Sequence, residues 1–459
     1  MNFNKKLAVA VSGAVMLMAG QFALADSTSD IVDALVGKGV LTEEEGKLIT
    51  KGHDSAKSKA AKVVDKNGML SLSSADGKST MAIAGRIQLD SRHFSNHDGR
   101  HTSSADGFDV RRAYLGVSGT IAKYYDYKVV GNFANSDNPS GNGSSDKSHQ
   151  LDEAFFGINF WKEASFRFGQ QKMPFSLEEQ TSSRFIDFQE RSMLNKYVPG
   201  KEIGAQIHGV FDNGVFYGAA VSTGEGLSKL EGNTTDSNDV IGRVGINFAQ
   251  ALGDKDNVYH LAIAGSSGRQ GNSTMKADYN SEDKGASFIS QTIIGNRDRL
   301  GLEGAIALGS VKIQSEYIQN NYSKVQAISN GKASGSDIDI DGHYVAATWL
   351  LTGEKYASAY KAGKFDRISP NKNFNPDDMS AGLGAWEIGA RYSSVDASDI
   401  GYTNNTSYNK ANAYTLGLKW IPSPFVRILL NYVNTEGEKA NGGGDLNQKA
   451  LTLRTQLDF

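Results

Sequence analysis

The 459-residue chain contains no cysteine, which excludes a disulfide staple, a thiol nucleophile and Cys-ligated zinc. Its stability must come from burial and sheet closure. Beyond the N-terminus no apolar run approaches the roughly 20 residues that a spanning helix needs, so helical membrane crossings are excluded as well. Neither G-x-S-x-G nor H-E-x-x-H occurs and the eight histidines are scattered, which argues against an enzyme. An excess of positive charge is also missing. The 48 basic side chains face 51 acidic ones, and loss of a leader carrying Lys5 and Lys6 moves the net charge from -3 to -5, which argues against nucleic acid as a partner. No cofactor and no metal site is expected. The nearest pattern, "DIDIDG" at 337–342, resembles the start of a calcium loop but has Thr348 where the twelfth-position Glu belongs, so it reads as an acidic turn.

What is present begins with Lys5 and Lys6, an apolar stretch over 7–18 and the small-residue site Ala23-Leu24-Ala25, the pattern of a secretory signal peptide cleaved near Ala25. Residues 29–51 then show a helical period. Ile31, Val32, Leu35 and Val36 share one side, Gly37-Lys38-Gly39 breaks the pattern, and Thr42 with Glu45 forms a capping box ahead of Leu48 and Ile49. The Ala-, Ser- and Lys-rich stretch 55–66 reads as a tether or a continued helix. The expected organisation is a leader over 1–25, a periplasmic helical segment and linker over 26–66, and one large domain over 67–459.

After Met69 the period becomes two. In the closing "LTLRTQLDF", Leu451, Leu453, Leu457 and Phe459 hold one parity while Thr452, Arg454, Gln456 and Asp458 hold the other. The same alternation places Lys128, Lys312, Glu316, Arg391, Lys419 and Arg427 opposite apolar neighbours, so the polar faces are rich in ionisable groups. A soluble sandwich and a membrane barrel both alternate in this way, and connection lengths separate them. Tight turns at 120–123, 161–164, 213–214 and 308–310 alternate with long Gly-, Ser-, Asn- and Asp-rich stretches at 135–150, 222–239 and 320–341, which is the rim asymmetry of a transmembrane barrel. The expected fold is all-β: a 16-stranded antiparallel transmembrane β-barrel preceded by a short N-terminal helical periplasmic segment, with a lipid bilayer against its apolar face.

The blocks "VRRAYLGVSGTIAKYYDYKVVGNFA" (110–134), "LDEAFFGINF" (151–160), "FRFGQQKMPFSLEEQTSSRFIDFQERSMLN" (166–195) and "LTGEKYASAYKAGKFDRISP" with "GAWEIGARYSSVD" (351–396) resemble the phosphate-selective porin O and P family over essentially the whole barrel. The resemblance implies a Gram-negative outer-membrane porin, usually a homotrimer, passing small anions such as phosphate. It also implies that the loop at 171–201 folds inward to narrow the pore. That loop sets Lys172, Arg184 and Arg191 against Glu178, Glu179, Asp187 and Glu190, and facing charges of both signs focus a field across a narrow opening.

Pore-lining and anion-binding roles carried over from the family fall on Arg86, Arg111, Arg112, Tyr114, Asp152 and Ser182, joined by Lys128, Lys172 and Arg184. Parity alone points Arg86, Arg112 and Tyr114 into the lumen. Guanidinium forks suit phosphate oxygens because they bind two at once. Asp126 and Glu179 stand where phosphate-selective members carry constriction lysines. One unit charge about 5 Å from an ion is worth roughly 3 kcal/mol at an effective dielectric near 20, so two reversals weaken a phosphate well strongly. The sequence therefore predicts a channel for small hydrophilic solutes with relaxed selectivity. The rival reading is a structural or adhesin-type barrel that works through its surface loops. The long segment 351–383, on the rim of otherwise short turns, is expected to enter or cover the barrel mouth.

Overall fold

The computed structural model describes residues 27–66, 69–95, 106–134, 150–224, 226, 237–270, 282–283, 293–327, 335–401, 407–440 and 446–459. The expected leader at 1–25 and most of the loop at 135–150 lie outside them. The chain divides into two compact units, one formed by residues up to Ala82 with 121–123 and the other by the rest.

In the first unit, helix α1 (Ser27–Gly37) and helix α2 (Glu43–Lys59) form a hairpin. The capping box is present. Thr42 N and Oγ1 donate to Glu45 Oε2 at 2.9 and 2.8 Å, and Glu45 N donates back to Thr42 Oγ1 at 3.2 Å. These bonds from Thr42 hold the Glu45 carboxyl below its ordinary pKa. Of the two readings of the stretch 55–66, the continued helix holds for its first part. Helix α2 continues to Lys59, and β1 (Lys62–Lys66) pairs antiparallel with β2 (Met69–Ser73), which pairs in turn with residues 80–82.

The second unit is a closed sixteen-strand antiparallel barrel. Its first eight wall strands are β3 (Thr80–Ser95), β4 (Gly107–Ile121), β5 (Tyr125–Asn132), β6 (Gln150–Ile158), β7 (Ser165–Lys172), β8 (Lys201–Val210), β9 (Val215–Ser222) and β10 (Asp239–Asn247). The next four are β11 (Asn257–Gln270), β12 (Ile294–Leu308), β13 (Val311–Ala327) and β14 (Ile338–Leu350). A two-strand hairpin, β15 (Tyr360–Lys361) and β16 (Lys364–Phe365), precedes the last four wall strands, β17 (Ala385–Asp396), β18 (Tyr408–Ser423), β19 (Val426–Lys439) and β20 (Leu446–Asp458).

Closure is made by the C-terminal stripe. β20 pairs with β3 from Lys449↔Ser95 to Asp458↔Arg86, and Gly85 and Phe459 exchange backbone hydrogen bonds. Leu451, Leu453, Leu457 and Phe459 are exposed on the outer face while Thr452, Arg454, Gln456 and Asp458 are buried inside. The alternation is thus apolar outside and ionisable inside, as a lipid-facing wall requires.

Two departures from simple alternation shape the interior. The exposed parity of β4 shifts between Val110 and Leu115, so Arg111 and Arg112 are both buried. Nearer the long-loop rim, β13 and β14 reverse the expected pattern. Ile318, Tyr322, Ile338 and Ile340 face inward, and Asp339 and Asp341 of the "DIDIDG" stretch do not. The inward residues join Met193, Leu194 and Tyr197 of the loop at 173–200 in a dry core. The loop's rings lie against wall glycines. A Cβ at Gly389 or Gly417 would sit 3.2 or 3.0 Å from the Phe188 ring, and one at Gly301 would meet Phe175 at 2.8 Å, so small residues permit the close approach.

Candidate functional site: a cationic constriction inside the barrel

The loop at 173–200 is fixed to the inner wall by carboxylates as well as by its core. Ser176 Oγ accepts from Glu179 N at 3.2 Å, starting a single helical turn (Leu177–Gln180). Glu316 on β13 accepts from Leu177 N and Glu178 N at 3.0 and 2.8 Å. Glu178 pairs with Arg391 at 3.2 Å and Asp187 with Lys312 at 2.8 Å. Glu190 receives Arg111 at 2.9 Å, Arg454 at 2.6 Å and, more distantly, Arg112 at 3.8 Å. Much of the loop's negative charge is therefore held against wall cations.

Segment 351–384 enters the same lumen. Tyr356, Phe365 and Ile368 pack with Leu177 and with wall residues Val258, Ala305 and Ala307. The Tyr356 hydroxyl meets Glu387 at 3.0 Å, Tyr360 lies 2.8 Å from His260, and Arg243 donates to the Gly363 carbonyl at 2.9 Å. The hairpin β15–β16 thereby delivers Lys364 to a cavity of about 330 Å³.

Six cations line this cavity, Arg86, Lys128, Lys172, Arg184, Lys201 and Lys364, against two carboxylates, Asp152 and Glu153. Tyr114, Ser118, Ser182 and Ser183 add hydroxyls. The volume is that of roughly ten waters, enough for a small anion that keeps part of its hydration shell. Arg86 stacks 4.4 Å over the Tyr114 ring and donates from Nη1 to Ser183 Oγ at 2.9 Å. Lys201 binds Asp152, and Lys128 binds Glu153. Arg184 lies 3.7 Å from Asp458. Lys364 has no ion-pair carboxylate among the described residues, and burial, reinforced by Arg167 nearby, holds its ammonium below the ordinary lysine pKa despite Asp366.

Of the eleven residues singled out from sequence, the structure brings seven to this cavity: Arg86, Tyr114, Lys128, Asp152, Lys172, Ser182 and Arg184. The other four lie off its wall. Arg111 and Arg112 turn to Glu190, and Arg112 also donates to Gln88 at 2.9 Å. Asp126 accepts from Asn159 at 2.6 Å and pairs with Arg167 at 3.5 Å. Glu179 pairs with Arg191 at 3.1 Å and Lys172 at 3.5 Å. Burial pushes its carboxyl up, but Arg191 and Lys172 outweigh that and hold it below its ordinary range. Of the cations that these two carboxylates bind, Lys172 lines the cavity, while Arg167 and Arg191 lie off its wall. Lys364, Lys201, Glu153 and Ser183 are added to the set; the signal for Lys364 was the unusual length of its segment.

Three comparisons place this geometry. The family described as phosphate-selective porin O and P matches residues 81–459. Porin O of Pseudomonas aeruginosa is 28% identical over 429 residues, covering 86% of this chain and 92% of that protein. Among solved structures, the anion-selective porin from Comamonas acidovorans aligns with a TM-score of 0.52 at 12% identity, covering 83% of this chain and all of the other. The outer-membrane channel DcaP of Acinetobacter baumannii aligns with a TM-score of 0.51 at 10% identity, over 83% of this chain and 97% of that one. At such identities the two structures speak for the fold.

Proposed function

Because the chain belongs to the phosphate-selective porin O and P family and is accordingly an outer-membrane channel, we propose that it passes small hydrophilic solutes with a preference for anions, and that it holds phosphate only loosely. The observation that carries this reading is the set of six cations against two carboxylates around one cavity. A passing anion is stabilised there by Lys364, which has no ion-pair carboxylate among the described residues, and by Arg86, which donates there to the neutral Ser183 hydroxyl. Phosphate is held loosely because three cations are already engaged nearby. Lys172 is drawn to Glu179, Lys201 to Asp152 and Lys128 to Glu153, which leaves fewer free donors for a dianion.

The eleven residues named from sequence fill two roles in this proposal. Seven touch the solute, and Arg111, Arg112, Asp126 and Glu179 set the field behind them. The leader is cleaved near Ala25 and residues 26–66 remain in the periplasm. The working unit is a homotrimer whose copies meet at β5–β7. The outer face of these strands carries a stacked pair, Phe156 and Phe168, with centroids 5.3 Å apart.

Planar-bilayer recording tests the proposal. In a potassium chloride gradient the reversal potential is expected to lie toward the chloride equilibrium value, with phosphate reducing chloride current only in the millimolar range. A cation-selective reversal refutes the anion preference, micromolar phosphate block refutes loose binding, and absence of conductance steps favours an adhesin. Native mass measurement in detergent tests the trimer.

A further inference from the structure

A second polar cluster lies in the lumen away from the constriction. Arg391 and Ser393 are two apart on β17, and Thr415 on β18 is the register partner of Arg391, so the three side chains form one inward patch. Each is more than nine-tenths buried. None lines the cationic cavity.

What they surround is a carboxylate from far along the chain. Glu282 belongs to the connection between β11 and β12 and is itself buried. Its Oε1 accepts from Ser393 Oγ at 2.5 Å, while Oε2 accepts from Arg391 Nη2 and Thr415 Oγ1, each at 2.6 Å. Both carboxylate oxygens are thus met by donors from the wall, as a bound ligand's would be. Arg391 Nε has no hydrogen-bond partner among the described residues.

We propose that Arg391, Ser393 and Thr415 form a carboxylate-binding site for small organic acids, occupied in this chain by the side chain of Glu282. The donor pattern selects the ligand class. Three donors directed to two oxygens fit a planar carboxylate, and the same guanidinium already holds Glu178 Oε1 at 3.2 Å. A dianionic phosphate would bring further oxygens and a second charge toward Glu178, and chloride would leave donors unmatched. Carboxylates are therefore favoured here, in contrast to the phosphate well expected of a cluster of lysines.

The test uses the full-length channel in planar bilayers. Acetate or phosphate is titrated at constant chloride for the parent protein, Glu282→Ala, and Glu282→Ala combined with Ser393→Ala or with Arg391→Gln. Glu282→Ala is expected to lower the acetate concentration that halves chloride current by about tenfold, with phosphate changed less than about twofold, and each second substitution should abolish the gain. Equal gains for acetate and phosphate would mean that only the general field had changed, and the proposal would fail. It would fail equally if Glu282→Ala gave no gain, or if the gain survived Ser393→Ala, a small change that preserves the wall. The phosphate arm of the parent protein separately reads the constriction, so failure of that reading leaves a different record.

Discussion

Lys364→Gln is the sharpest test of the constriction. Neutralising Lys201 or Lys128 would release Asp152 or Glu153, whereas Lys364 has no such carboxylate among the described residues, so its loss is close to a pure subtraction of one charge. A sphere holding the cavity's 330 Å³ has a radius of roughly 4 Å, which sets a lining charge about 5 Å from a centred ion. At an effective dielectric near 20 the interaction is roughly 3 kcal/mol, and screening with a Debye length of about 8 Å cuts it by nearly half. The remaining ~1.5–2 kcal/mol corresponds to a 10- to 30-fold weaker hold on a monovalent anion. Phosphate titrated against chloride current should show that loss, with the reversal potential moving toward cations. A shift below about twofold would refute the assignment of Lys364 to the ion path. The pH dependence adds an internal check. Since the lysine pKa is lowered, its charge disappears as pH rises through that lowered value, so part of the anion preference should be lost before ordinary lysines titrate near pH 10, and the loss should be smaller in Lys364→Gln.

Other substitutions separate the cavity from its surroundings. Glu179→Gln should strengthen phosphate block by about three- to tenfold by releasing Lys172 and Arg191, and unchanged block would show that those cations do not reach the ion. Asp126→Asn should act less strongly in the same titration, because the cation it releases, Arg167, lies off the cavity wall; an effect equal to that of Glu179→Gln would contradict this. Glu316→Gln removes a carboxylate that accepts from two loop N–H groups, at a cost of about 1.5–3 kcal/mol, and should appear as noisier open-channel current and faster proteolysis of the loop at 173–200. Phe188→Ala should loosen the same loop by about 3–5 kcal/mol of lost packing, raising conductance while lowering anion preference; unchanged current would mean that other contacts hold the loop.

How much of this was legible depends on whether a feature repeats locally. The period of two at Leu451, Leu453 and Leu457 against Arg454 and Gln456 is a property of each strand, so barrel, closure and wall orientation could be read without a structure. Of the seven cavity residues, Arg86, Tyr114, Asp152 and Ser182 followed from the family resemblance, with parity agreeing at Arg86 and Tyr114, while Lys128 followed from parity and Lys172 and Arg184 from the charge content of the loop at 171–201. The remainder depends on long-range placement. Lys364 reaches the cavity because Tyr356 and Phe365 find an apolar site among Leu177, Val258 and Ala305, which no local pattern announces. Arg111 was carried over from the family against its own parity, and the shift of parity that turns it inward shows only in which neighbours are exposed. Glu179 was placed in the ion path by alignment, yet Arg191, twelve positions later, determines where its carboxylate rests.

The reversed pattern on β13 and β14 explains how a wide barrel comes to have a narrow, charged passage. A sixteen-strand wall encloses a lumen too wide to discriminate between small ions, and lining it with polar groups alone would leave the inward loop held mainly by weak, solvent-screened ion pairs. Here Ile318, Tyr322, Ile338 and Ile340 supply an apolar surface inside the wall, and Met193, Leu194 and Tyr197 of the loop bury themselves against it. Burial is not screened by salt as an ion pair is, so the loop keeps its place in the ionic solution that the channel carries. Once that side is filled, the described cavity runs along β3 to β8, where Arg86, Lys128, Lys172 and Lys201 project. The hydrophobic core thus shapes the passage without lining the cavity itself, by filling the lumen opposite the cationic wall.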